Sequence, residues 1–217
     1  NFMLTNSSYS NYNWNNIFNN TNTTRYVLNF KSDKLFKFNF EFNKISNYTY
    51  FGKDVNGFII PKQEGSNIGM FKMNISKKLS FKKFTLENKV QFQKVGDESL
   101  GVINIPDLIL RNTLYYQNEL FNKALLLQTG FTLNYFSEFY MNGYDPLLSE
   151  FYVQNNKLIG NFPRIDFFVN AKIQQTRIYL KAEHINSSIT GYNYYSAPNY
   201  PYRDFSIRFG LVWNFFM

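Results

Sequence analysis

The chain has 217 residues, a formal net charge of +8, a mean hydropathy of −0.36 and no cysteine. Its apolar stretches are short and broken by polar residues, which excludes a helical span of about 18 or more apolar residues. The lack of cysteine excludes disulfides and thiolate metal sites. Lys and Arg are dispersed along the chain and are not clustered in a patch, so we predict no nucleic-acid partner.

Apolar and polar side chains alternate along most of the chain, and 20% of its residues are aromatic. The clearest segment, residues 35–43, has Phe at positions 36, 38, 40 and 42, with Lys37, Asn39 and Glu41 between them. Successive side chains of a strand point to opposite faces, so this segment predicts a strand with one aromatic and one polar side.

The same pattern predicts about ten strands and no helix. In chain order they cover residues 9–18, 24–31, 35–43, 71–75, 84–93, 108–116, 125–135, 166–173, 177–183 and 205–217. Tight connections are predicted at residues 32–33, 77–78, 118–122 and 174–176, and long ones at 52–66, 95–106, 141–163 and 186–202. This alternation of short and long connections is typical of outer-membrane barrels, whose periplasmic turns are short and whose extracellular loops are long.

Two folds fit a chain of alternating strands. A soluble β-sandwich would have to bury nearly all the aromatic rows in one core, and its connections would be mostly short. We therefore favour an all-β fold, a transmembrane antiparallel up-and-down β-barrel with about ten strands in this chain. The apolar face would meet lipid and the polar face a lumen. The ten strands are either a complete small barrel or part of a larger one.

Several blocks of sequence resemble a known family. They are GYDPLLSEFYVQNN, GNFPRIDFFVNAKIQQTRIYLKAEHIN and YYSAPNYPYRDFSIRFGLVWNFF. From about Gly57 onward the chain resembles the C-terminal part of the Putative porin family of Bacteroidetes outer membranes. The resemblance implies a β-barrel in the bacterial outer membrane. Family members are longer, so residues 1–217 are expected to be one domain, either the C-terminal part of a longer chain or a short relative. The opening residues show no leader sequence, so an exported protein has lost its signal or the sequence starts inside a longer chain.

The predicted function is passive diffusion of small hydrophilic solutes. One alternative is a plugged barrel that acts as a structural scaffold in a larger outer-membrane complex. Another is the barrel portion of a TonB-dependent transporter, whose final strand the end of the chain also resembles. The sequence contains no plug domain of that class.

Polar-face charges are the candidate lumen-facing residues. They are Arg25, Lys37, Glu41, Lys72, Glu87, Lys89, Arg111, Asp166, Lys172, Arg177, Lys181, Glu183 and Arg208. Nine are positive and four negative, which predicts a mildly anion-favouring or non-selective interior. The alternative is that these side chains pair across strands and fill the interior, since an open channel usually needs about sixteen strands.

The final strand carries an in-phase apolar series that resembles the signal read by the barrel-assembly machinery. Its members are Phe209, Leu211, Trp213, Phe215 and Met217. The simpler interpretation is a lipid-facing strand, and the two are compatible. Expected partners are outer-membrane lipid, lipopolysaccharide, the barrel-assembly machinery and other outer-membrane subunits.

His184 is the only histidine, and phase places it on the apolar face near the outer rim, in the headgroup region. Ser187 and Ser188 are close in sequence, but no catalytic motif surrounds them. A lone histidine cannot form a histidine-cluster metal site. We therefore predict that the protein is not an enzyme and has no cofactor or metal.

Overall fold

A computed structural model describes residues 6–9, 12–32, 34–96, 101–189 and 194–214. The regular structure of these segments is entirely β-strand. The strands are β1 Asn6–Tyr9, β2 Tyr12–Asn15, β3 Asn22–Lys31, β4 Lys37–Ser46, β5 Thr49–Lys53, β6 Ile59–Gln63, β7 Ile68–Phe81, β8 Phe84–Val95, β9 Leu108–Leu120, β10 Leu125–Phe136, β11 Phe139–Tyr140, β12 Gly143–Asp145, β13 Glu150–Val153, β14 Leu158–Ile159, β15 Arg164–Ile173, β16 Thr176–Glu183, β17 Tyr195–Ala197, β18 Tyr200–Pro201 and β19 Ser206–Trp213. The described segments include no helix with the length and hydropathy that a membrane crossing requires.

Nine of these strands form one sheet in the order β3-β4-β7-β8-β9-β10-β15-β16-β19. Every neighbouring pair in it is antiparallel. This confirms the all-β, up-and-down antiparallel fold. Within the described residues the sheet is open, with β3 and β19 as its two edges. Closure into a barrel and insertion in a membrane stay predictions.

Connections in this sheet alternate between short and long, as predicted. The short ones are residues 32–36, 82–83, 121–124 and 174–175, and the long ones are 47–67, 96–107, 137–163 and 184–205. The predicted turn at residues 77–78 is wrong, because β7 continues to Phe81. Leu79 and Phe81 extend the apolar alternation, and the chain turns at Lys82, whose φ is 53°.

The predicted strand at residues 9–18 is also wrong. β1 and β2 pair with each other and lie outside the nine-stranded sheet. They contact the long connections instead. The Trp14 ring lies 6.1 Å from that of Phe51, and the Tyr12 hydroxyl donates a hydrogen bond to Asp145 Oδ2 at 3.1 Å. The sheet therefore has nine strands where ten were expected.

The long connections, predicted as loops, form small sheets of their own. Strands β12, β13, β5 and β6 form a four-stranded sheet in that order, in which β13 and β5 are parallel. Strand β11 pairs with β14, and β17 with β18. Much of the buried apolar core lies in or next to these connections: Phe51, Ile68, Val95, Leu148, Ile159 and Tyr194. The core thus lies mainly at one end of the nine-stranded sheet, which we call the long-connection end.

Candidate functional site

The strand register collects the predicted lumen residues on one face of the nine-stranded sheet. Directly paired residues of antiparallel strands point to the same side. Pairs such as Glu41 with Lys72, Lys89 with Arg111 and Lys181 with Arg208 therefore define a continuous surface, which we call the polar face. It includes all thirteen predicted residues: Arg25, Lys37, Glu41, Lys72, Glu87, Lys89, Arg111, Asp166, Lys172, Arg177, Lys181, Glu183 and Arg208. That the polar face lines a lumen stays a prediction.

Four further charged residues on the polar face were missed from sequence. Lys31, Lys78, Glu119 and Arg164 share the register of the others. Lys78 and Glu119 fell in segments predicted as turns. Arg164 precedes the predicted start of its strand, although it alternates in phase with Asp166. With these four, the strands bring twelve positive and five negative side chains to this face.

A chain of ion pairs joins β15, β16 and the edge strand β19. Asp166, whose side chain is 2% exposed, lies 3.5 Å from Arg164 Nε and 3.2 Å from Lys181 Nζ. Lys181 also contacts Glu183 at 2.9 Å, and Glu183 contacts Arg208 Nε at 3.1 Å. A buried carboxylate needs such partners, because its desolvation is otherwise uncompensated. Neutralising one of these charges would therefore weaken the attachment of β19 to β16.

Two more ion pairs hold the remaining acidic residues of the predicted set. Glu41 accepts a hydrogen bond from Arg25 at 2.7 Å. Glu87 lies 3.4 Å from Lys78 and also accepts a hydrogen bond from the Tyr115 hydroxyl. All four predicted acidic residues thus have cationic partners. Cross-strand pairing was one part of the alternative interpretation for these charges, and these ion pairs show it for the four acidic residues. That the side chains fill an interior stays a prediction.

The polar face contains hollows large enough for small solutes. One of about 300 Å³ contacts Lys37, Ser76 and Lys89. The next, of about 340 Å³, contacts Arg111 and several amide and hydroxyl side chains, among them Thr113, Gln128 and Asn170. A third, of about 540 Å³, contacts Lys172 and Arg177. Small-molecule sites commonly have volumes of about 300–1,000 Å³.

The opposite face of the sheet is apolar and uncovered, and we call it the apolar face. Its exposed members include Leu28, Phe30, Leu79, Phe81, Phe84, Leu114, Phe131, Leu180, Phe209, Leu211 and Trp213. Soluble monomers rarely expose contiguous apolar patches larger than a few hundred Å². An uncovered face that crosses nine strands is typical of a protein in contact with lipid.

The predicted assembly signal lies partly on this apolar face. On β19, Phe209, Leu211 and Trp213 are 83%, 62% and 57% exposed. Phe215 and Met217 lie outside the described residues. The exposure agrees with a lipid-facing strand, while recognition by the assembly machinery stays a prediction.

His184 is enclosed, so its predicted place on the lipid-facing rim is wrong. Its φ of 55° takes the chain out of the strand alternation directly after β16. The side chain is fully buried and packs against the rings of Tyr194, Tyr202 and Phe162. Its backbone N–H donates to Asp166 Oδ1, and Nδ1 lies 2.9 Å from the Arg203 carbonyl oxygen.

Metal-ligating groups of three or more His, Asp or Glu side chains are absent from the described part of the chain. Comparison with curated proteins and with solved structures gave no match. The family model described as "Putative porin" matches residues 1–217, so the match covers the whole chain and includes the segment before Gly57. The chain belongs to the putative porin family.

Proposed function

We propose that the chain forms the wall of an outer-membrane β-barrel through which small hydrophilic solutes diffuse passively. The observation that carries this proposal is the opposite character of the two faces of one nine-stranded sheet. The polar face offers charged and amide groups with hollows between them, as a water-filled interior requires. The apolar face suits lipid. Membership of the family supports an outer-membrane location.

The number of strands bears on how such a barrel closes. In a nine-stranded up-and-down sheet the first and last strands, β3 and β19, run in the same direction. Lipid cannot satisfy their free N–H and C=O groups, and bacterial single-chain barrels have an even number of antiparallel strands. An odd number of additional strands would therefore complete the wall, and we propose that this chain is the C-terminal part of a longer polypeptide.

The intact mass of the native polypeptide tests this form of closure. The 217 residues account for 25.8 kDa, so the longer polypeptide should be clearly heavier. A native mass of this size, in a monomer that resists proteolysis in membranes, would contradict it.

Liposome swelling tests transport itself. Purified native protein reconstituted into liposomes should admit sugars at rates that fall with sugar size. Protein unfolded before reconstitution serves as the control. Swelling no faster than that of the control would overturn the diffusion proposal.

A second candidate, a barrel closed by its own connections, also has a specific observation in its favour. Ile68 and Val95 have polar-face register but are 0% and 6% exposed. Nearby, Gln93 Nε2 donates to the Pro106 carbonyl oxygen, which belongs to a long connection. Long connections therefore cover part of the polar face at the long-connection end. If liposomes that contain the protein do not swell, and other outer-membrane proteins copurify with it in stoichiometric amounts, the closed barrel acting as a scaffold is the favoured function.

The proposal also covers the partners of the protein and whether it catalyses a reaction. We expect contacts with outer-membrane lipid and lipopolysaccharide, and assembly by the barrel-assembly machinery through β19. We propose no enzymatic activity and no cofactor. Esterase activity that disappears in a His184→Ala variant would contradict the non-enzymatic assignment.

A further inference from the structure

Three pairs of like positive charge face each other directly across strands of the polar face. Lys31 is the register partner of Lys37, Lys89 of Arg111, and Lys172 of Arg177. Directly opposed residues have Cα atoms about 4.5–5.5 Å apart. All six side chains are exposed. None of the six has an ion pair within the described segments.

Such pairs are unfavourable for the sheet itself, because like charges directly opposite each other destabilise strand pairing. The acidic side chains of the polar face compensate for them only in part. Those of Glu41, Asp166 and Glu183 are only 16%, 2% and 19% exposed, and each holds other cations. Glu87 is 38% exposed, pairs with Lys78 and lines two of the hollows, and Glu119 is also exposed. Two accessible acids therefore stand against the six unpaired cations of the three pairs.

The three pairs adjoin hollows and lie in two different rows of paired residues across the sheet. Lys31 and Lys37 flank the short connection 32–36, and Lys172 and Arg177 lie next to the short connection 174–175. Lys89 and Arg111 lie in the same row across the sheet as Lys31 and Lys37, because Lys37 pairs with Ser76 and Ser76 with Lys89, whereas Lys172 and Arg177 pair in a different row. Each pair contributes at least one cation to a hollow of about 300, 340 or 540 Å³.

We propose that these three pairs, which we call the basic pairs, are binding subsites for small anions that carry phosphate or carboxylate groups. An anion placed between the two cations of a pair relieves their repulsion and gains charge-assisted hydrogen bonds. At Arg111 and Arg177 the planar guanidinium matches two oxygens of such a group, while Lys89 and Lys172 supply a point charge. The inference rests on the proposed diffusion function, and it names anions as the favoured solutes.

Reversal potentials in planar bilayers test the basic pairs. The native protein should prefer chloride over potassium, and the preference should weaken as salt rises, because the Debye length shortens from about 10 Å at 0.1 M to about 3 Å at 1 M. A Lys89→Gln/Arg111→Gln double variant should lower the anion-to-cation permeability ratio by about fivefold or more at low salt. Inorganic phosphate should inhibit chloride current in the native protein and less in the variant.

Lys44→Gln is the matched control, because Lys44 is an exposed lysine with the register of the apolar face, paired with Gly69. It removes one positive charge, where the double variant removes two, without touching a basic pair, and it should leave the permeability ratio unchanged. A conducting native protein that prefers cations, or a double variant with an unchanged ratio, would overturn the inference while leaving the diffusion proposal intact.

Phosphate binding to the folded protein in detergent tests the subsites without a channel. Titration with inorganic phosphate, followed by NMR signals of the Arg111 and Arg177 side chains, should show saturable shifts that Lys44→Gln preserves. The double variant should lose the Lys89/Arg111 site and keep the Lys172/Arg177 site. Absence of saturable shifts in the native protein would overturn the inference even if no current is observed, whereas binding without current would remove only the diffusion proposal.

Discussion

The phenol ring of Tyr179 lies over Gly210, its register partner on the edge strand β19. A Cβ atom at position 210 would lie 2.6 Å from both Cζ and Oη of that ring, well inside van der Waals contact. A glycine in a strand leaves the backbone bare, and an aromatic ring from the neighbouring strand covers it. Tyr179 therefore helps to hold β19 against β16 on the polar face.

Gly210→Ala should weaken this attachment. The added methyl group forces the ring aside, and because Tyr179 is 43% exposed the ring can move, so we expect a loss of about 1 kcal/mol in the free energy of unfolding. Denaturant unfolding in detergent micelles measures it. Gly65→Ala is the control, since a Cβ there meets nothing within 4 Å. Equal stability of the two variants would contradict the role of the ring.

Gly130 should tolerate a methyl group less well than Gly210. A Cβ there would lie 2.6 Å from the backbone Cα of Tyr115 and would also clash with the Leu114 carbonyl oxygen. Backbone inside a paired strand cannot rotate away as a side chain does, so Gly130→Ala should cost about 3 kcal/mol. The same unfolding measurement should rank Gly130→Ala below Gly210→Ala, and the reverse order would disprove this interpretation.

Asp166→Asn should destabilise the long-connection end. The carboxylate is nearly buried, lies beside Arg164 and Lys181, and accepts the His184 backbone N–H. Removing one partner of a buried ion pair leaves the other charge uncompensated, at a cost of about 3 kcal/mol. We expect a lower unfolding midpoint and faster proteolysis of residues 184–205.

Glu87→Gln is the matched control for this substitution. The Glu87 side chain is 38% exposed and pairs with the exposed Lys78, so its loss should cost less than about 1 kcal/mol. If both variants lower the free energy of unfolding by the same amount, the buried ion pairs of Asp166 contribute no more to stability than the exposed pair of Glu87.

The two faces of β15 should respond oppositely to the same added charge. Val169 and Asn170 are neighbours, but Val169 has the register of the apolar face and Asn170 that of the polar face. In a bilayer, Val169→Lys should cost about 2–4 kcal/mol near the midplane, because lysine meets hydrocarbon there. Asn170→Lys should fold normally and change only the ion selectivity. Equal tolerance of both variants would contradict the assignment of the apolar face to lipid.

Local alternation was enough to predict the nine strands of the sheet, because a period of two residues is set by the strand itself. The structure in the long connections was missed since it depends on distant pairing: Tyr152 of β13 lies beside Phe51 of β5. No short-range pattern signals such a contact. The predicted position of the His184 side chain was wrong for a different reason. The positive φ of His184 ends the strand alternation from which we predicted its face.

Charge signs were easier to predict from sequence than charge partners. Alternation places Lys181, Glu183 and Asp166 on one face, but only the register shows that Lys181 reaches both acids. The basic pairs were likewise invisible, since the partner of Lys89 is set by the pairing of β8 with β9. Side-chain direction is local, whereas register depends on the whole sheet.

Glu64, in the long connection 47–67, should show a pH dependence of known sign. Its carboxylate accepts hydrogen bonds from the backbone N–H of Ser66 at 3.0 Å and from the Ser66 hydroxyl at 2.8 Å. These two bonds to Ser66 lower the pKa of Glu64 below its ordinary value, and they outweigh the opposing effect of partial burial. The folded pKa is lower than the unfolded one. The stabilisation is therefore present above the unfolded pKa of about 4.3 and is lost as pH falls through the folded value.

Ser66→Ala removes the hydroxyl donor and keeps the backbone one, so the pKa of Glu64 should rise part of the way to its ordinary value. An NMR titration of the Glu64 side-chain carboxyl measures it. Ser188→Ala, at an exposed serine of a different connection, should leave the titration unchanged. The acid-induced loss of stability should be smaller in Ser66→Ala than in the native protein and complete at a higher pH, because the folded pKa of Glu64 moves toward the unfolded one. An unchanged Glu64 titration would show that the hydroxyl does not hold the charged carboxylate.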